Sequence, residues 1–223
     1  MSEEPKLEEI EFAENPEPRC PCVLLLDTSS SMSGSAINAL NQGLQTFKDS
    51  LTQDDLASRR VEIAIVTFDS KVNVVQDFVT ADQYEPTSLS AGGATAMGTA
   101  IVTGLDMVQN RKTQYRENGI TYYRPWIFMI TDGEPQGEAK EIIDQAAQRI
   151  KTEEENKSSA FFAVGVEGAN MDKLQAIAAR APVKLNGLNF GEMFVWLSAS
   201  MQRVSHSKVE EQVDLPPLGW GTV

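Results

Sequence analysis

Two short runs of apolar residues, each followed by an aspartate, constrain the fold of this chain more than any other feature. The first run, residues 23–26, leads into Asp27, and the second, residues 126–130, leads into Thr131 and Asp132. A short run with no polar alternation is typical of a strand buried on both faces of a parallel sheet. The sequence therefore predicts an α/β fold with helices on both faces of the sheet.

The rest of the chain alternates between helix and strand patterns. Apolar residues spaced three or four apart predict helices, and short apolar or alternating runs predict strands. The predicted helices cover about 35–51, 97–108, 139–155, 171–179 and 190–204. The further predicted strands are 61–68, 72–78, 160–166 and 183–185. The segment from Arg111 to Thr121 is polar and is predicted to be a loop. The alternation of strands and helices predicts a doubly wound, mainly parallel sheet, and the close strands 61–68 and 72–78 predict a hairpin that adds one antiparallel edge strand.

Composition divides the chain into three parts. Residues 1–19 are predicted to be a solvated acidic arm, residues 20–206 the domain, and residues 207–223 a tail whose Trp220 docks onto the domain. The net charge of −13 argues against a nucleic-acid partner, because phosphates select basic surfaces. The start of the chain lacks the pattern of a signal peptide, and no apolar run reaches membrane-spanning length. We therefore expect a cytoplasmic protein that does not bind membranes.

Oxygen-bearing side chains follow both apolar runs. Since ligands of such sheets bind beyond the carboxyl ends of the strands, we expect these side chains to meet at one rim, together with a threonine that follows a Gly-Gly pair. The candidate ligands are Asp27, Ser29, Ser31, Thr95 and Asp132. Hard oxygen donors without sulfur or imidazole favour Mg²⁺, with Mn²⁺ or Ca²⁺ also suited. Two carboxylates and three hydroxyls leave a coordination position open, and a carboxylate from a partner protein could fill it.

Two other functions are compatible with parts of this pattern. In a magnesium-dependent phosphohydrolase Asp27 would be the nucleophile and Asp132 a metal ligand, but position 29 holds serine where a second carboxylate is usual. A metal-free structural subunit would assemble through apolar surface such as Trp196, Trp220 or Phe194. Taken singly, the serines fit a flexible loop, Asp27 a helix cap and residues 131–133 an ordinary turn. A serine hydrolase is disfavoured, because the chain has a single histidine, His206, and no Gly-x-Ser-x-Gly elbow.

The combination of Asp27-x-Ser29-x-Ser31, the loop 92–95 and the triplet 131–133 resembles the metal-ion-dependent adhesion site of von Willebrand factor type A domains. The resemblance covers about residues 20–204. It implies a Rossmann-like fold in which Asp27, Ser29, Ser31 and Thr95 bind Mg²⁺ and Asp132 assists, often through water. It implies no catalytic activity, so we expect a binding module and not an enzyme.

The segments 18–22 and 133–135 further resemble those of the bacterial TerY-like proteins associated with tellurite resistance and stress-response operons. This resemblance implies a cytosolic bacterial protein that works with a protein encoded nearby, such as a kinase or phosphatase. It also implies a link to tellurite or chemical stress. Tellurium chemistry itself has no counterpart among the residues.

Overall fold

The computed structural model describes residues 7–222, with side chains from residue 11 onward. The helices are α1 (Leu7–Glu14), α2 (Ser35–Thr52), α3 (Asp55–Arg60), α4 (Met97–Glu117), α5 (Lys140–Glu155), α6 (Met171–Ile177) and α7 (Phe190–His206), with a 3₁₀ turn at Ser30–Met32. The strands are β1 (Cys20–Asp27), β2 (Val61–Phe68), β3 (Val72–Thr80), β4 (Trp126–Thr131), β5 (Ala160–Gly165), β6 (Val183–Leu185) and β7 (Gly221–Thr222). Within residues 7–222, none of the helices is long and apolar enough to span a bilayer.

The described strands form one sheet in the order β3-β2-β1-β4-β5-β6-β7. Strands β2, β1, β4, β5 and β6 run parallel, and β3 pairs antiparallel with β2. This arrangement confirms the predicted mainly parallel sheet and its antiparallel edge strand. In addition, the two-residue strand β7 pairs antiparallel with β6 at the opposite edge.

The core lies on both faces of the sheet because successive strand side chains point to opposite sides. Leu24 and Leu26 of β1 pack with the helices α2 and α7, whereas Val23 and Leu25 pack with α4 and α5. All four leucine and valine side chains are fully buried. Because β1 and β4 are paired in parallel, their carboxyl ends lie side by side.

Helix α4 is longer than its apolar pattern indicates. The predicted loop from Arg111 to Thr121 was wrong, since α4 continues to Glu117. Arg111 and Tyr115 look solvent-facing in the sequence, but both are buried and both donate hydrogen bonds to Glu62 of β2. Tertiary partners therefore hold the last two turns in helical form. The short helix α3, capped by Asp54, was not predicted either.

Part of the predicted arm packs on the domain. Residues 1–6 lie outside the described residues, but Phe12 is only 3% exposed and packs edge-on against Tyr115 at a centroid distance of 5.8 Å. Arg19, at the end of the predicted arm, is fully buried. The arm from Phe12 onward thus differs from the solvated segment that its acidic composition indicated.

The tail docks on the domain, as predicted for Trp220. The Trp220 side chain is 2% exposed and packs edge-on against Trp196 of α7, with ring centroids 5.5 Å apart. The Trp196 indole Nε1 donates to the carbonyl oxygen of Pro216 at 2.8 Å, and the Asn186 N–H donates to the Trp220 carbonyl at 3.0 Å. The tail thereby covers the β6 edge of the sheet.

Candidate metal centre

The structure brings the five predicted ligands together at the carboxyl edge of the sheet. Ser29 Oγ lies 3.0 Å from Ser31 Oγ, and Ser31 Oγ donates to Asp132 Oδ1 at 2.8 Å. A Cβ atom placed on Gly133 would lie 3.4 Å from Thr95 Oγ1 and 3.6 Å from Asp27 Oδ2, so these two oxygens flank the same glycine. The loop after β1 (residues 28–34, the β1 loop), the loop before α4 and the end of β4 therefore meet at one site.

Asp27 is the most buried member of the group, with 0% exposure. Its Oδ1 accepts from the Ser29 N–H at 2.8 Å, and its Oδ2 accepts from the Thr131 hydroxyl at 2.5 Å. Burial raises the pKa of Asp27 above its ordinary value, the hydrogen bonds from Ser29 and Thr131 lower it in part, and the nearby Asp132 raises it. Thr131 was not among the predicted ligands, although it belongs to the triplet that drew attention to Asp132.

The oxygen-bearing side chains of the site differ in their exposure to solvent. Ser29 is buried, Asp132 is partly exposed and Ser31 is exposed. Partial burial raises the pKa of Asp132, and the hydrogen bond from Ser31 offsets part of this rise. A group arriving from solvent can therefore reach Ser31 and Asp132, while Asp27 lies behind them.

The Gly-Gly loop docks onto the β1 loop through its backbone. The Ser30 N–H donates to the Gly93 carbonyl at 3.1 Å, and the Gly92 N–H donates to the Thr28 carbonyl at 2.8 Å. Gly93 has φ +84°, and a Cβ atom there would lie 2.6 Å from Ser70 Oγ. Only glycine combines this backbone conformation with such a close approach. Gly93 thus lets the loop that carries Thr95 pack closely against the turn between β2 and β3, while the two backbone hydrogen bonds hold it to the loop after β1.

The described residues provide no compensating cation at the site. In the part of the chain that the structure describes, no Lys, Arg or His forms an ion pair with Asp27 or Asp132. Nor do three His, Cys, Asp or Glu side chains come together there to hold a metal. A cation at this rim would therefore depend on hydroxyl oxygens as well. Two carboxylates and three hydroxyls are a donor set that fits a hard dication such as Mg²⁺.

The thiol and imidazole groups of the chain lie elsewhere. Cys20 and Cys22 are buried and free within β1. His206, at the end of α7, contacts Asp54 with its Nε2 2.8 Å from the carboxylate. The rim is therefore lined by oxygen donors, as the sequence predicted, and the role of the five residues as ligands stays a prediction.

The fold and the site can be compared with known proteins. Residues 22–191 match the family model of the von Willebrand factor type A domain. The chain is similar to the solved structure of a von Willebrand factor type A protein from Catenulispora acidiphila, with a TM-score of 0.66, 17% identity, and coverage of 83% of this chain and 43% of that one. It is also similar to the pilus adhesin SpaC from Lactobacillus rhamnosus GG, with a TM-score of 0.68, 13% identity, and coverage of 84% and 30%.

The type V pili tip protein Mfa5 from Porphyromonas gingivalis has a similar domain, with a TM-score of 0.65, 10% identity, and coverage of 86% of this chain and 98% of that domain. At these levels of identity, the similarity establishes the fold alone. This chain spans less than half the length of the first two proteins. No curated protein matches the sequence. Because the family model matches residues 22–191 of 223, this chain belongs to the von Willebrand factor type A domain family.

Proposed function

We propose that this chain is a metal-dependent protein-binding domain that captures an Asp or Glu carboxylate of a partner protein. Asp27, Ser29, Ser31, Thr95 and Asp132 would hold Mg²⁺. The observation that carries the proposal is the fully buried Asp27, which has no cationic partner among the described residues. A buried carboxylate is costly unless an opposite charge accompanies it, and a dication would supply that charge.

The graded exposure of the donors supports capture of an outside group. When bound, the cation would supply an open coordination position to a partner oxygen. Ser31 and Asp132 lie at the solvent side of the site, so a partner side chain can approach from there. Asp27 and Ser29 lie on the protein side and are held by the backbone of the β1 loop. The same donors would accept Mn²⁺ or Ca²⁺.

We propose binding without turnover. In the phosphohydrolase alternative Asp27 would need a general acid two residues later, but that residue is Ser29, whose hydroxyl contacts Ser31. Activity with generic phosphatase substrates that disappears in Asp27→Asn would favour the hydrolase instead. The metal-free structural subunit differs in a simpler way, since it predicts no response to divalent cations.

The test is a calorimetric titration of metal-stripped protein with Mg²⁺ and Mn²⁺. We compare the wild type with Asp27→Ala, and with Asp144→Ala as a control, because Asp144 is exposed on α5. One saturable site in the wild type and the control, lost in Asp27→Ala with the fold intact, supports the proposal. If the wild type binds no divalent cation either alone or with a glutamate-bearing peptide, the structural-subunit alternative is favoured.

The cellular setting is part of the same proposal. The TerY-like resemblance of residues 18–22 and 133–135 supports a cytoplasmic role in bacterial tellurite resistance or stress response, with a partner such as a nearby kinase or phosphatase. Deletion of the gene should sensitise the host to tellurite. Wild-type protein should restore growth and Asp27→Ala should not. Equal rescue by both proteins would separate the metal site from this role.

A further inference from the structure

Helix α4, which begins just after Thr95, takes its N-terminal cap from a distant residue. Ala96, at the N-cap position, provides no side-chain acceptor. Instead, the Glu138 carboxylate accepts from the Gly98 N–H at 2.7 Å and from the Thr99 N–H at 2.9 Å. The first N–H groups of a helix have no acceptor within the helix, and a negative charge is favourable there. Glu138 therefore satisfies the start of α4 with both of its oxygens.

Glu138 lies in the loop that starts with Asp132, and this loop also contacts Thr95 directly. The Gln136 N–H donates to the Thr95 carbonyl at 2.9 Å, and the two residues form an isolated β-bridge. One loop thus binds the backbone of Thr95 and the helical turn that follows it. The segments that present Thr95 and Asp132 are tied together on two sides.

The packing around the cap requires a small residue at position 98. A Cβ atom on Gly98 would lie 3.2 Å from Glu138 Oε2, 3.2 Å from Ile142 Cγ2 and 3.2 Å from Ile143 Cα. Such distances are tighter than ordinary van der Waals contact. Gly98 allows the carboxylate to sit directly on the helix N-terminus, so the contact is built into the packing of α4 on α5.

We propose that Glu138 is a positioning residue of the metal site, which keeps Thr95 in register with Asp132 by capping α4. This inference rests on the metal-binding function proposed above. Thr95 and Asp132 reach the site on different loops, so their relative position depends on what joins those loops. Among the described residues, Glu138 makes the side-chain hydrogen bonds that join the start of α4 to the loop after β4. Residues that orient metal ligands typically account for about 10- to 100-fold in metal affinity.

The experiment compares Glu138→Ala and Glu138→Gln with Glu141→Ala as the matched control, because Glu141 is an exposed glutamate in the first turn of α5. Magnesium affinity is measured at a temperature at which thermal unfolding shows every variant to be folded. Glu138→Ala should weaken Mg²⁺ binding about 10- to 100-fold. Glu138→Gln keeps one acceptor oxygen and should restore part of the affinity, and Glu141→Ala should bind as the wild type does.

Amide hydrogen exchange of the metal-free proteins provides a readout that does not depend on metal. If Glu138 couples the two loops, Glu138→Ala should speed exchange at Gln136, whose N–H bonds to Thr95, as well as at Gly98 and Thr99. Lower stability with wild-type Gln136 exchange and wild-type Mg²⁺ affinity would overturn the inference and leave only a helix cap. If the wild type binds no divalent cation either alone or with a glutamate-bearing peptide, the proposed metal site fails, and the exchange rates still decide whether Glu138 couples the loops.

Discussion

Asp27 and Glu62 are both fully buried carboxylates on the neighbouring strands β1 and β2, but they lie at opposite ends of these paired strands. Glu62, near the start of β2, accepts from Arg19 Nε at 2.8 Å, from Arg111 Nε and Nη2 at 2.9 Å each, and from the Tyr115 hydroxyl. Asp27, at the end of β1, accepts only from neutral donors of the described residues. The described residues thus supply cations to Glu62 and none to Asp27.

We interpret this difference as one between a structural role for Glu62 and the proposed binding role for Asp27. Arg19 also donates to the carbonyls of Glu17 and Asn15, so the Glu62 cluster fastens the segment before β1 onto the domain. Burial and the neighbouring Glu62 raise the pKa of Tyr115 well above its ordinary value, which keeps its hydroxyl a donor. Every group in this cluster already has its partner. Asp27, in contrast, has no cationic partner among the described residues, and in the proposed function a bound cation would supply one.

The largest effect is expected from breaking the compensated cluster. Glu62→Gln leaves the buried Arg19 without a carboxylate partner and leaves Arg111 with Glu11 alone, so the free energy of unfolding should fall by about 3–5 kcal/mol. Urea unfolding measures the loss. The control is Glu85→Gln, which removes an exposed partner of Lys48 and should cost less than about 1 kcal/mol. If Glu62→Gln also lowers the free energy of unfolding by less than about 1 kcal/mol, the contrast between the two carboxylates is wrong.

The second expected effect concerns pH. Because the folded-state pKa of Asp27 is raised above 3.8, the folded protein holds a proton that the unfolded chain has already released. The metal-free protein should therefore lose stability as pH rises from about 4 through the folded pKa, with a slope of at most about 1.4 kcal/mol per pH unit for one proton. Asp132 contributes with the same sign.

Asp27→Asn tests this assignment, since asparagine carries no charge at any of these pH values. Its free energy of unfolding in the metal-free state should depend less on pH and should equal or exceed that of the wild type near pH 7. Saturating Mg²⁺ should stabilise the wild type but not Asp27→Asn, because in the proposed site the ion binds the charged carboxylate. Parallel pH profiles of the two proteins would show that Asp27 is not the source of the slope.

The predictable part of the molecule is the part governed by local pattern and by sheet geometry. The apolar runs before Asp27 and Thr131 predicted two buried strands, and parallel strands end at one edge, so the meeting of Asp27, Ser29 and Asp132 followed. The hairpin from Val61 was equally local. These features depend on residue type and spacing within a few positions, which a single sequence displays.

The rest depends on contacts between distant residues, for which one sequence carries no local signal. The last turns of α4 read as a polar loop because Arg111 and Tyr115 reveal their partner, Glu62, only when β2 is in place. Arg19 was assigned to a solvated arm for the same reason. Glu138 caps a helix 40 positions earlier, and nothing near it in the sequence identifies that role.

The smallest expected effects come from removing one hydroxyl donor at each carboxylate. Tyr115→Phe should cost about 1 kcal/mol, because Glu62 keeps its arginine donors. The Mg²⁺ affinity of Tyr115→Phe should be that of the wild type.

Thr131→Val removes a hydrogen bond that lowers the pKa of Asp27, so that pKa should rise further. Mg²⁺ binding requires the deprotonated carboxylate. The Mg²⁺ affinity of Thr131→Val should therefore fall more steeply below neutral pH than that of the wild type.

Calorimetric titrations at several pH values, beside urea unfolding of both variants, separate these outcomes. Tyr115 lies in the cluster that fastens the amino-terminal segment, and Thr131 lies against the candidate metal ligand. A Tyr115→Phe variant with weakened Mg²⁺ binding would show that the two ends of the sheet are coupled. A Thr131→Val variant whose Mg²⁺ affinity follows the wild-type pH profile would show that the hydroxyl does not control the ionisation of Asp27. In either case the separation between a structural and a binding carboxylate would have to be redrawn.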